Sequence, residues 1–442
     1  MASSVFYVLL CLVVSIVLMI VLSVKYKVHA FFALIIACFL MGLSVQIPLA
    51  EIITTVETGF GKIMKSLGLI IVLGTTLGIL LEHTGATKVM AAVILRKVGE
   101  NKAQMSMSLT GFVVGLPIFC DSGYIVLSSL SQTLSRRTGI SIATMAIALA
   151  TGLYAVHCLI PPHPGAAAAV AIIGYDYGKL ILAGIIVAIP AAVVGYLWAA
   201  YAGKKYPPAA EETESVEEAT LPLPSPVRAF LPVIVPILLI AFGSFLLTGK
   251  PGTESPLSVL APLGDPVVAL TAGILLAFRC RKNWTKDSLS RLLKDAAEKA
   301  GSILVIIGAG GAFGAVLTAT KIGDQLSSVL PLATLGIFFP FLVTTVLKTA
   351  QGSSTVAIIT AASIVQPLLV PLGLDHDNGR LLCLLSMGAG SMMISHANDA
   401  YFWVISKFSG LEMKPMLKVY SVASLLMGLV SFGTVCLLSL IL

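Results

Sequence analysis

Residues 333–371 read ATLGIFFPFLVTTVLKTAQGSSTVAIITAASIVQPLLVP, two apolar arms joined by the polar run KTAQGSS at 348–354. If the arms are helices in a membrane, the polar run lies at membrane depth. Irregular backbone survives there only where it is buried in protein or lines a water-filled cavity. The stretch therefore predicts a re-entrant helical hairpin with a polar tip.

Three other apolar regions carry a similar polar interruption. Residues 117–123 (PIFCDSG) form a second tip, and residues 157–165 (HCLIPPHPG) and 395–399 (SHAND) interrupt two further apolar runs. The pattern predicts two hairpins and two broken helices, at 103–135, 333–371, 139–174 and 378–407 respectively.

The overall composition indicates a membrane protein. Of the 442 residues, 57% are hydrophobic and only 11% charged, whereas soluble domains have about 25% charged residues. The net charge of +7 does not indicate nucleic acid, because the basic residues lie in short loops between apolar runs. The seven Cys show no paired metal spacing. We expect no metal and no cofactor.

The order of elements repeats along the chain. Residues 1–202 form one half, residues 203–227 an acidic linker, and residues 228–442 a second half with the same order. The fold class predicted is an all-α polytopic membrane protein with two inverted repeats, roughly ten spanning helices and two hairpins. Besides the hairpins and broken helices, the predicted helices are 4–24, 30–47, 67–82, 179–202, 229–248, 263–279, 301–319 and 419–442, with amphipathic stretches at 50–65 and 282–300.

The basic residues predict the orientation. If both hairpins are re-entrant, most of the 28 basic residues fall on one side, which the positive-inside rule assigns to the cytoplasm. We expect a bacterial cytoplasmic membrane, with both termini on the periplasmic or external side.

The four polar segments are expected to converge near the bilayer midplane. Helices that begin at such interruptions present free N–H groups and partial positive charge, which suit a carboxylate. The alternative is that their small residues only allow helices to pack closely. The candidate substrate-binding residues are Ser122, Gly123, His157, His163, Gln351, Gly352, Ser353, Ser354, Thr355, His396 and Asn398.

Ionisable residues at this depth indicate function. Asp121 is a candidate proton carrier or, alternatively, an acceptor for backbone N–H groups of its tip. His157 and Asp399 are further proton-coupling candidates. Lys348 offers a cation for the substrate or for Asp121, and Asp399 is otherwise expected to bind substrate hydroxyls or to shape the second break.

Two other motifs are expected to be structural. The glycine-rich run at 308–314 resembles a dinucleotide loop, but Phe313 replaces the last expected glycine and no strand is predicted before it. Close helix packing explains it better. Glu82 and His83, at a helix end, are expected to lie at the membrane interface.

Several of these motifs together resemble the bacterial gluconate permease family. They are residues 160–165 (IPPHPG), 307–314 (IGAGGAFG), 350–357 (AQGSSTVA) and 395–403 (SHANDAYFW). The likeness runs nearly end to end, including the long central loop. The first tip, FCDSG at 119–123, and Lys348 depart from the family's usual pattern.

The resemblance implies a proton symporter for a sugar acid or a related hydroxy- or amino acid, such as gluconate, idonate, D-serine or glycerate-like acids. It also implies a homodimer in which paired hairpins move in an elevator fashion against a scaffold. Carried over by position, the implied site is Asp121, Ser122, His157, His163, Gln351, Ser353, Ser354, His396 and Asn398.

Three other functions remain open from the residues alone. A sodium-coupled carboxylate transporter is one, because carbonyls with Ser and Asn oxygens at the tips suit sodium. A channel is another, and it would show no uphill accumulation of substrate. A membrane enzyme is the third, although the sequence offers no nucleophile–base pair or metal-ligand set.

Overall fold

The computed structural model describes residues 5–99, 102–209, 223–247, 260, 262–281, 283–322 and 332–442. Helix makes up 82% of the structure, and these ranges contain no strand. Seven of the described helices are long and apolar enough to cross a membrane, and shorter apolar helices accompany them. The prediction of an all-α polytopic membrane protein is confirmed.

The first half contains nine helices within the described residues. They are α1 Val5–Val24, α2 Ala30–Ser44, α3 Leu49–His83, α4 Ala86–Val98, α5 Ala103–Gly115, α6 Cys120–Thr138, α7 Ile142–Leu159, α8 Pro164–Ile173 and α9 Tyr177–Gly203. Helices α5 and α6 form the first hairpin. Helices α7 and α8 are the two arms of the first broken helix, and α7 is buried along its whole length.

The described part of the second half also contains a hairpin and a broken helix. Its described helices are α10 Pro226–Leu247, α11 Pro266–Phe278, α12 Lys286–Ala319, α13 Phe338–Gln351, α14 Ser354–Val365, α15 Asp377–Met392, α16 Ala400–Ser409 and α17 Val422–Leu438, the last preceded by a π-helical turn at Met416–Ser421. Helices α13 and α14 form the second hairpin, and α15 and α16 the second broken helix. Residues 210–222 of the predicted linker lie outside the described residues.

Two helices are longer than the sequence analysis predicted. The amphipathic stretches at 50–65 and 282–300 were expected to precede separate helices at 67–82 and 301–319. Instead each stretch is continuous with its apolar helix, as α3 and α12. Neither segment contains a proline, so nothing interrupts the backbone hydrogen bonds where the polarity changes.

Helices α3 and α12 pack antiparallel and very close. A Cβ on Gly59 would lie 2.7 Å from the carbonyl oxygen of Gly311, and one on Gly308 would collide with the Phe60 ring. Towards the other end, His83 Nε2 and Ser288 Oγ are 3.2 Å apart. The glycine-rich run at 308–314 thus lies inside a helix, where it permits close packing.

The polar interruptions end helices for identifiable reasons. Pro161 and Pro162 lie between α7 and α8, and Pro164 occupies the first position of α8. Gly352 ends α13 with a φ of +83°, a left-handed conformation that glycine adopts without strain. The second break spans residues 393–399, where Asp399 caps α16 by accepting a hydrogen bond from Tyr401 N at 3.0 Å.

Candidate functional site

A cavity of about 400 Å³ lies where the two tips and the two breaks meet one side of α12. The four polar segments therefore converge, as the sequence analysis expected. Eight of the lining residues were sequence candidates: Asp121, His157, Gln351, Ser353, Ser354, Thr355, Asn398 and Asp399. The lining is completed by Phe119, Cys120, Tyr154, Pro164, Ser302, Ile303, Ile306, Val356, Ala400, Tyr401 and Lys299.

Where the first tip meets α12, a carboxylate and an ammonium lie at the cavity. Asp121 is the second residue of α6, where the partial positive charge of a helix N-terminus favours an anion. Lys299 of α12 donates a hydrogen bond from Nζ to Ser122 Oγ at 2.6 Å, and its Nζ lies 4.8 Å from the centre of the Phe119 ring. Ser122 thus holds Lys299 at the cavity and does not itself line it.

The second tip contains a buried ion pair. Lys348 is fully buried and its Nζ lies 2.6 Å from Asp399 Oδ2. The same ammonium donates to the carbonyl oxygen of Gly352, and Ser395 Oγ donates to the same Asp399 oxygen. Lys348 therefore pairs with Asp399, not with Asp121, and it does not line the cavity. Its role is to join the tip of the second hairpin to the second break.

The N-terminus of α14 opens onto the cavity. Ser353 caps it, accepting a hydrogen bond from Val356 N at 3.3 Å. Ser354 and Thr355 follow and line the cavity. The first N–H groups of a helix have no partner within it, so they are available to an anion.

Two amides present polar atoms that no described residue satisfies. Asn398 Nδ2 donates to the carbonyl oxygens of Thr349 and Ala350 at 2.8 and 3.1 Å. Its Oδ1, and both Oε1 and Nε2 of Gln351, are buried without a hydrogen-bond partner among the described residues. Buried polar groups are nearly always hydrogen-bonded, so these atoms are candidates for contact with a polar ligand.

The two histidines of the first break form a short hydrogen-bond chain. His163 is buried behind the cavity, with Nε2 at 2.7 Å from the carbonyl oxygen of Gly115 and Nδ1 at 3.3 Å from His157 Nδ1. Since the carbonyl can only accept, a neutral His163 carries its hydrogen on Nε2 and accepts at Nδ1. His157 then donates from Nδ1, which leaves its Nε2 as an acceptor for a ligand hydroxyl.

The remaining sequence candidates support the site from outside the cavity. His396 Nε2 lies 3.1 Å from the carbonyl oxygen of Thr349 and so ties the second break to the second hairpin. Gly123 packs on α7, where a Cβ would lie 2.9 Å from a methyl carbon of Leu153. A Cβ on Gly352 would collide with the backbone of Asn398.

Sequence reasoning missed several residues of the cavity wall. Lys299 falls in the predicted amphipathic stretch at 282–300 and Ser302 in the apolar helix predicted at 301–319, so neither is among the sequence candidates. A continuous helix through 282–319 would have carried Lys299 towards the membrane interior. Tyr154 and Tyr401 donate to backbone carbonyl oxygens, those of Ser391 at 3.0 Å and Ala150 at 3.1 Å. No local pattern in the sequence distinguishes them from packing residues.

Comparisons with known proteins agree on the family. The family model described as GntP family permease matches residues 7–441. A gluconate permease of Pseudomonas aeruginosa is 36% identical, covering 99% of this chain and 98% of the relative. The D-serine transporter DsdX of Escherichia coli is 30% identical, covering 97% and 98%. The crystal structure of the Alcanivorax borkumensis YdaH transporter matches with a TM-score of 0.60 at 16% identity, covering 88% of each chain. This chain belongs to the GntP family of permeases.

Proposed function

We propose that this protein is a secondary active transporter that imports a small sugar acid or hydroxycarboxylate, such as gluconate, together with a proton. The observation that carries the proposal is the cavity, where a cation and a helix N-terminus face amide groups without partners. The gluconate permease relative supports the substrate class. A cavity of about 400 Å³ also has the size of a site for a small ligand.

The two ends of the cavity suit different parts of a sugar acid. The carboxylate binds the ammonium of Lys299 and the free N–H groups of Ser354 and Thr355, because both favour an anion. The hydroxyls donate to Oδ1 of Asn398 and Nε2 of His157, while the amide of Gln351 can both donate and accept. An apolar acid of the same size would leave these polar groups unsatisfied.

Asp121 is the proposed proton carrier. It lines the cavity, and it has no ion pair within 4 Å among the described residues, whereas Asp399 pairs with Lys348 at 2.6 Å. Asp399 is therefore already bound by the ammonium of Lys348, which cannot leave the site. His157 is the second candidate, because its donation from Nδ1 to His163 is compatible with either a neutral or a protonated ring.

The buried ammonium of Lys348 also favours protons over sodium as the coupling ion. A sodium ion at the second tip would need carbonyl and carboxylate oxygens. The Gly352 carbonyl and the Asp399 carboxylate already bind Lys348. A sodium-coupled transporter remains the alternative, with its site at the first tip.

The architecture proposed for this transport is an elevator. Two halves, residues 1–202 and 228–442, act as inverted repeats joined by a cytoplasmic linker at 203–227. The antiparallel pair α3 and α12 belongs to a scaffold, which we propose forms a homodimer in the bacterial inner membrane. In this proposal both termini lie on the periplasmic or external side. The hairpins and broken helices carry the substrate.

Uptake into proteoliposomes tests the proposal. Labelled gluconate is supplied in sodium-free buffer under an acid-outside pH gradient, with unlabelled idonate, glycerate, D-serine and citrate as competitors. We expect uphill uptake that collapses when the gradient is dissipated. Uptake that appears only with sodium would establish the alternative. Inhibition by D-serine but by none of the other acids would reassign the substrate to an amino acid.

A further inference from the structure

A second cavity, of about 380 Å³, is not used by the proposed substrate site. Its wall combines residues of α3, α8 and α12 with Gln366, which directly follows α14. The polar residues of the wall are Thr54, Thr55, Thr58, Lys62, Thr318 and Gln366.

The two cavities lie at opposite ends of the contact between α12 and α14. Helix α12 lines the substrate cavity from Lys299 to Ile306 and the second cavity from Gly311 to Thr318. Helix α14 begins in the substrate cavity and ends beside the second one. At 1.5 Å per residue, the levels of Lys299 and Gly311 are about 18 Å apart along the helix.

Each cavity contains one lysine, and the two occupy matching positions. Lys62 lies thirteen residues after Leu49, the first residue of α3, and Lys299 lies thirteen residues after Lys286, the first residue of α12. Because these two helices are antiparallel, equal distances from their N-termini fall on opposite sides of the midpoint of the pair.

Lys62 has an unused ammonium. Lys62 is exposed, and within the described part of the chain its side chain makes neither an ion pair nor a hydrogen bond. In the substrate cavity, by contrast, Lys299 is held by Ser122 at 2.6 Å. This ammonium and the hydroxyls of Thr55 and Thr58 provide several hydrogen-bond donors for an anion, whereas the Thr54 hydroxyl already donates to the carbonyl oxygen of Ala50 at 3.0 Å.

Between the two cavities, α12 packs closely against α14 through glycines. A Cβ on Gly310 would collide with Ile359 of α14, and one on Gly314 would lie 3.4 Å from Ser363. The side of α12 that faces α14 thus has glycine where these two residues pack. At positions 310 and 314, therefore, α12 places no bulky side chain between the two cavities.

We infer that the cavity around Lys62 is a second carboxylate-binding vestibule, which receives the substrate anion on the face of the membrane opposite Lys299. The inference rests on the proposed function, because the ligand is the same carboxylate. It assigns the two lysines separate steps of transport. Lys299 binds the anion on one side, and Lys62 binds it on the other.

Measuring transport kinetics separately from each side of the membrane tests the inference. Gluconate KM is measured in right-side-out and in inside-out membrane vesicles for Lys62→Met, Lys299→Met and the control Lys65→Met. Lys65 is exposed on the same helix but does not line the cavity. An exposed ammonium contributes modestly, so we expect Lys62→Met to raise KM about fivefold in one vesicle orientation only. Lys299→Met should raise KM in the other vesicle orientation. Lys62→Arg keeps the charge, so its KM should stay near the wild-type value.

An equal KM for Lys62→Met and Lys65→Met, or an equal rise in both orientations, would overturn the inference. A second readout does not depend on transport. Thr58→Cys introduces an accessible thiol into the vestibule, since the native cysteines are buried or half-buried. Gluconate should slow maleimide labelling of this thiol, and should not do so after Lys62→Met. If gluconate protects this thiol from labelling but no vesicle transports gluconate, the proposed function fails and the vestibule stands. If gluconate does not protect the thiol, the vestibule is refuted.

Discussion

Replacing Lys299 by methionine should weaken substrate binding more than any other single change at the cavity surface. Lys299 Nζ bonds to Ser122 Oγ at 2.6 Å and lies over the Phe119 ring at the cavity wall. Methionine keeps the length of the side chain and much of its packing, but it removes the charge. The change therefore isolates the contribution of the ammonium to the binding of a carboxylate.

The size of the effect follows from the type of bond lost. A hydrogen bond to a charged group contributes about 1.5–3 kcal/mol net. Since 1.4 kcal/mol corresponds to a factor of ten, we expect KM for gluconate to rise roughly 10- to 150-fold. Lys299→Arg should retain much of the affinity, because it keeps the charge, although its planar donor group is larger.

Two controls separate substrate binding from structural damage. Ser122→Ala removes the same intramolecular bond but leaves the ammonium, so its KM should rise much less than that of Lys299→Met. Lys294→Met removes an exposed charge of α12 whose partner, Glu298, lies 3.8 Å away at the surface, and it should have no effect. Concentration dependence of uptake gives KM, and the Tm of the purified variants reports folding. If Lys299→Met folds normally and its KM stays within about twofold of wild type, Lys299 does not bind the carboxylate.

Three further predictions concern charge and backbone. Asp121→Asn should still bind gluconate but lose uptake driven by the pH gradient, and unchanged gradient-driven uptake would remove Asp121 as proton carrier. Lys348→Met should lower the free energy of unfolding by about 3–5 kcal/mol, because it leaves Asp399 buried and unpaired. The double variant Lys348→Met, Asp399→Asn should recover part of the lost Tm, and a lack of recovery would contradict the pairing. Gly352→Ala should abolish uptake while Gly373→Ala, also at positive φ but with open space around its Cβ position, should not; equal activities would show that contact with Asn398 is unimportant.

Much of the fold follows from local features of the sequence. Three prolines between His157 and Gly165 prevent a continuous helix, and a glycine flanked by Gln and Ser residues ends a helix at the second tip. Such interruptions give the positions of the hairpins and breaks without any tertiary information. The length of α3 was also accessible, since no proline divides it, but the change in polarity near residue 66 suggested a boundary.

The pairing of side chains in the site depends on tertiary structure. Lys348 and Asp399 lie 51 residues apart, and the sequence offers Asp121 as an equally plausible partner. Lys299 belongs to the predicted amphipathic stretch at 282–300, before the predicted apolar helix, yet it reaches a tip 177 residues earlier in the chain. Convergence of the four polar segments was predictable, whereas the choice of partners within them was not.

The central claim is that a proton accompanies a sugar acid through the cavity at the two tips. The most direct test records internal pH and labelled gluconate together in proteoliposomes that contain a trapped pH indicator, without sodium. The account predicts that adding gluconate outside acidifies the interior in proportion to uptake, and that Asp121→Asn takes up gluconate without acidification. Gluconate uptake by the wild-type protein with no change in internal pH would contradict it.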